Sequence, residues 1–92
     1  MNSAALNLVW RSDVRRPVDL LVLLALAGLA DASGWLSASV AEIAQHSRLS
    51  ARSVRRALCR LEAEGWVLRG ISAGAKGVNV YCLPALVGRA AA

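Results

Sequence analysis

The stretch RRPVDLLVLLALAGLADASG, residues 15–34, decides how the whole chain is read. Basic residues come first, then an apolar run, then small residues around Ala32. That is the order of a secretory signal, and the run also invites comparison with a membrane span. A span needs roughly 20 apolar residues to cross about 30 Å of hydrocarbon. Here only Leu20 to Ala30 are apolar, and Asp19 and Asp31 bracket them. A helix over 18–31 would reach about 21 Å at ~1.5 Å per residue, too short to span comfortably. Asp19 also stands where the apolar part of a signal would begin, and Asp13 dilutes the basic flank. The remaining reading is a core helix, with Pro17 in its first turn and Gly34 just past its end. That reading implies a cytoplasmic protein.

Working outward, 92 residues suit one small domain with one modest core. The composition is 57% hydrophobic without a single Phe, so Leu, Val, Ala, Ile and Trp must build that core. The net charge of +5 is unevenly placed. Residues 48–76 hold Arg48, Arg52, Arg55, Arg56, Arg60, Arg69 and Lys76 against only Glu62 and Glu64, while the rest of the chain balances. Concentrated positive charge draws polyanions through Coulomb attraction and counterion release.

The spacing after Gly34 predicts a brief strand at Trp35-Leu36. Ser39-Val40-Ala41-Glu42 is a capping box, and it opens a short helix over 40–46. Ser47-Arg48-Leu49 is a tight turn. Ser50 then caps a longer helix over 51–64, whose Val54, Leu58 and Leu61 recur at helical period, and Gly65 ends it. Residues 66–71 and 78–83 read as strands joined by the loop SAGAKG, 72–77. Leu6, Leu8 and Trp10 alternate with other residues, which predicts a short strand or an extended arm over 1–14. The domain proper is expected over 15–84, with a tail over 85–92.

On a helical wheel the 51–64 segment has one apolar face and one arginine face. An α-helix fits the DNA major groove with its N-terminal residues at the base edges, and the planar fork of Arg matches O6 and N7 of guanine. Arg52 and Arg56, with Ser53, are therefore the candidate base readers. Arg48, Ser50, Arg55 and Arg60 are placed for phosphate. Catalysis is not expected: no nucleophile–base set, phosphate loop or carboxylate cluster occurs. Nor does any metal-ligand spacing occur around His46, Cys59 or Cys82. No cofactor or small-molecule ligand is implied. Cys59 falls toward the arginines as a redox candidate, Cys82 reads as a small strand residue, and Trp35, Trp66 and Tyr81 are expected in the core.

The run VAEIAQHSRLSARSVRRALCRLEAEGWVLR resembles the helix-turn-helix of winged-helix proteins. From the LLVLLALAGLADASG helix to VNVYCL, the chain looks most like winged-helix domains of phage and plasmid replication proteins, with relatives among regulators and excision factors of mobile elements. The resemblance implies a mainly α fold, three helices plus a β-hairpin wing. It implies that 51–64 is the recognition helix and that the 72–77 wing, through Lys76, meets the DNA backbone. The expected function is sequence-specific binding of double-stranded DNA, as a transcription regulator or as a replication or excision accessory factor. One domain touches few base pairs, so self-association as a dimer or a head-to-tail array is expected. The alternative is a protein-interaction module for an acidic partner.

Overall fold

The structure, a computed structural model, describes residues 7, 9–70 and 78–84. Helix α1 spans Pro17–Leu29. Pro17 fixes φ in the first turn, where its missing N–H costs nothing. Ala30 is extended and ends the helix, its N–H reaching Leu26 O at 2.9 Å. The following turn is organised by Asp31. Its Oδ1 accepts from the Ser33 N–H at 2.9 Å, the Ser33 hydroxyl at 2.7 Å and the Trp35 N–H at 3.0 Å. The Ser33 hydroxyl and these amides hold the Asp31 carboxyl below the usual carboxylate range.

Strand β1, Trp35–Ala38, alternates outward and inward, so Leu36 and Ala38 enter the core. The same alternation corrects the core placement expected of Trp35, which is 44% exposed. Helix α2, Val40–Ser47, starts at the complete Ser39/Glu42 capping box. Helix α3, Ala51–Ala63, follows after a three-residue turn, and Glu64 is its C-cap. Strands β2, Leu68–Arg69, and β3, Asn79–Cys82, are shorter than the apolar runs that predicted them. Both antiparallel pairings use β3, giving the sheet order β1-β3-β2, with Leu36 opposite Tyr81 and Leu68 opposite Cys82.

Helix α1 packs across both α2 and α3. Val22, Leu23 and Leu26 meet Ile43, Val54, Leu58 and Leu61, and Val67, Tyr81 and Leu83 complete the cluster from the sheet side. Each fully buried aliphatic side chain contributes about 1.5–3 kcal/mol. Trp66 is half-buried against this core, and Tyr81 and Cys82 are buried, as expected. Burial pushes the Tyr81 hydroxyl and the Cys82 thiol to higher pKa.

The fold is mainly helical with one small antiparallel sheet, in the order α1-β1-α2-α3-β2-β3 of a winged helix-turn-helix. At the N-terminus, the strand or extended arm expected over 1–14 is corrected at the described positions: Asn7 and residues 9–11 are helical, while residues 1–6 and 8 lie outside the described residues. Ser12 closes that turn, its N–H and hydroxyl on Val9 O at 3.3 and 2.8 Å. So short an apolar alternation does not separate a period of 2 from one of 3.6. Among the described residues, no helix is long and apolar enough to cross a membrane.

Candidate nucleic-acid interface

The turn between α2 and α3 sets the angle at which α3 is presented. Arg48 adopts the left-handed conformation, φ 60 and ψ 35, which a non-glycine residue takes at a cost of about 1 kcal/mol or more. Its own N–H and that of Leu49 converge on Ala44 O. The bend tucks Leu49 toward the core and leaves Arg48 exposed.

Ser50 then starts α3. Its hydroxyl oxygen accepts from the Ser53 N–H at 3.1 Å and its hydrogen goes to Ser53 Oγ, also at 3.1 Å. The Ser50 side chain is thus engaged in capping. What it leaves for an anion at this end is the Ser53 hydroxyl and the amides of Ala51 and Arg52, which have no acceptor within the helix.

Along α3, Val54, Ala57, Leu58 and Leu61 are buried, whereas Arg52, Arg55, Arg56 and Cys59 are exposed. Among the described residues, no carboxylate pairs with Arg48, Arg52, Arg55 or Arg56. Four uncompensated guanidinium groups therefore share the turn and the outer face of one helix. Arg55 and Cys59 also line a cleft with Ser39, Arg69 and Asn79, where the start of α2, the flank of α3 and the sheet meet.

Two cations behave differently. Arg60 turns inward: its Nε lies 3.0 and 2.9 Å from the two Asp19 oxygens, and its Nη2 lies 2.6 Å from Oδ1. Asp19 is only 1% exposed. Its Nε/Nη2 edge is occupied and its charge is balanced by Asp19, and this hydrogen bond raises the Arg60 pKa further. Arg60 is accordingly reassigned from phosphate contact to an internal tie between α1 and α3. Arg69 donates to Glu62 at 3.1 Å and lies over the Tyr81 ring, 5.8 Å from its centroid. Lys76 and the 72–77 wing lie outside the described residues.

Sequence reasoning missed the Asp19–Arg60 pair. A signal existed: on a helical wheel Asp19 shares a face with Val22, Leu23 and Leu26, and a buried carboxylate requires a cation. The cleft beside Cys59 had no such signal, because Ser39 and Asn79 are 40 residues apart. His46 is exposed on the last turn of α2. Among the described residues, no three His, Cys, Asp or Glu side chains group as metal ligands.

The family model described as a helix-turn-helix domain matches residues 16–67, which run from the start of α1 through α3 to Val67. No curated protein and no solved structure matches the chain.

Proposed function

The chain belongs to the helix-turn-helix domain family, and on that premise we propose that it reads double-stranded DNA with α3 in the major groove. The observation that carries this reading is the exposed set Arg52, Arg55 and Arg56 on one face of α3, without a carboxylate partner among the described residues. Arg52 and Arg56 stand one turn apart near the helix start, the end that reaches base edges in this docking mode. They are the proposed base readers, with the Ser53 hydroxyl beside them. Arg48 and Arg55 hold the phosphates flanking the groove, Ser50 orders the helix start, and the 72–77 wing with Lys76 rests on the backbone. Two or more copies supply useful affinity. The role is transcription regulation, or an accessory role in replication or excision of a mobile element, exercised on the nucleoid.

The test is a gel shift and footprint on the gene's own upstream DNA, against random DNA and against the Arg52→Ala/Arg56→Ala double variant. A discrete footprint that the variant loses is expected. Each lost bidentate contact removes about 1–3 kcal/mol of base discrimination. Binding of equal strength to random DNA and by the variant would overturn base reading. Binding to an acidic protein with no effect of DNA sequence would replace DNA with a protein partner.

A further inference from the structure

Helix α1 is apolar on both sides. Its inner face, Val22, Leu23 and Leu26, is fully buried. On the wheel, Pro17, Leu20, Leu21, Leu24 and Gly28 form a second stripe directly opposite, at spacings of three and four. A helix that is apolar all round belongs in an interior, yet Leu21 is 43% exposed and Gly28 is exposed as well. Trp10 stands over the N-terminal end of this stripe, 78% exposed. With Val9 it walls a groove over Pro17, Leu20, Leu21 and Leu24 that presents almost no polar surface.

We propose that this groove is a self-association surface, in which α1 of a second copy packs antiparallel on the stripe around a two-fold axis between Leu21 and Leu24. Three features select a second copy. The stripe is self-complementary: bulky Leu21 and Leu24 flank the axis, and Gly28 at one end gives room for the partner's Pro17 at the other. The charges at its ends are complementary only when antiparallel. Arg15 and Arg16 are exposed at the N-terminus of α1, the positive end of its own dipole, and an exposed Asp31 follows its C-terminus. Antiparallel pairing brings the arginines of each copy to the negative end of the other. Arg48 borders that end from the α2 side and offsets part of this attraction. The stripe also lies on the far side of α1 from its packing against α3, so pairing there does not cover Arg52, Arg55 or Arg56, although Arg48 borders it.

The area sets the strength. A stripe about 20 Å long, with a Trp offering on the order of 150–200 Å², gives a pair near the low end of specific interfaces, about 1,200 Å² in total or less. The dimer is therefore weak and reversible in free solution, and it tightens when both copies are held on one DNA.

The test needs no DNA, so its failure is separate from failure of the DNA-reading proposal. Sedimentation equilibrium of the full chain, from about 10 μM to about 1 mM, is expected to show the average mass rising from 9.7 kDa toward twice that value. Leu21→Glu is expected to hold the mass at one chain without lowering the melting temperature. Leu68→Glu, on an exposed leucine of β2, is expected to leave dimerisation intact. Should Leu21→Glu fold poorly, Leu21→Cys in a Cys59→Ser background is expected to form a disulfide-linked dimer under copper–phenanthroline, with Leu68→Cys in that background remaining single. Three results would overturn the proposal. The wild-type chain could stay monomeric throughout, Leu68→Glu could abolish the dimer as fully as Leu21→Glu, or Leu21→Cys could crosslink no more than Leu68→Cys.

Discussion

Arg60 and Arg56 sit one turn apart on the same helix and do opposite work. Arg56 is exposed and unpaired, whereas Arg60 reaches back to a carboxylate 41 residues earlier. Burying Asp19 without a partner would be costly, and the Arg60 fork removes that penalty with three short contacts. Removing one partner should then hurt more than removing both. Arg60→Met strands the carboxylate, and its melting temperature is expected to fall by more than about 10 °C. Asp19→Leu/Arg60→Met is expected to recover most of that loss, because an apolar pair fills the site without a buried charge. Thermal melts of the two single variants and the double variant check this. Equal and additive losses would show that the pair is not coupled. Charge counting in the sequence could not distinguish Arg60 from its neighbours, since the distinction is made by an element folded against it.

At the scale of the element, α3 owes its limits to local chemistry. Ser50 starts it, and Gly65 stops it at φ +84. The Trp66 N–H closes on Leu61 O and the Gly65 N–H on Glu62 O, at 3.0 and 3.1 Å. A Cβ at Gly65 would touch nothing within 4 Å, so only the backbone resists a side chain there. Gly65→Ala is expected to cost about 1 kcal/mol, a melting-temperature drop of roughly 4–8 °C for a domain of this size, with Gly65→Asn costing less. A chemical-denaturation series measures it, and an unchanged midpoint would mean that the helix end tolerates another conformation. These caps are also why the helices were legible beforehand. Capping residues act over three or four positions, so α2 and α3 could be bounded to within a residue. Strand ends depend on pairing with distant residues. The apolar run 66–71 therefore promised six strand residues, and β2 keeps two.

At the scale of the molecule, the topology was legible because few arrangements bury an apolar helix face beside a helix-turn-helix pair. What was not legible was the second apolar face of α1, since periodicity marks both faces and does not say which one the rest of the chain covers. The proposed interface makes a quantitative claim about salt. With Arg48, Arg55 and Lys76 on phosphates, the slope of log K against log salt is expected near −3 for each bound domain, at about −0.9 for each neutralised phosphate. Arg55→Gln should flatten it by about 0.9 per domain. Asp19→Leu/Arg60→Met should leave it unchanged, because Arg60 faces Asp19. Titrations by fluorescence anisotropy at several salt concentrations give each slope, and a slope that moves with Arg60 would return that residue to the phosphates.

The outer positions of α3 carry no packing. Residues 52, 55 and 56 can change without touching Val54, Leu58 or Leu61, and the tie to α1 sits further along at Arg60. Helix orientation and outer side-chain identity are thus separately heritable. On the proposed reading, a lineage carrying this fold can retarget itself by substitution at a few codons, with little change in stability at each step.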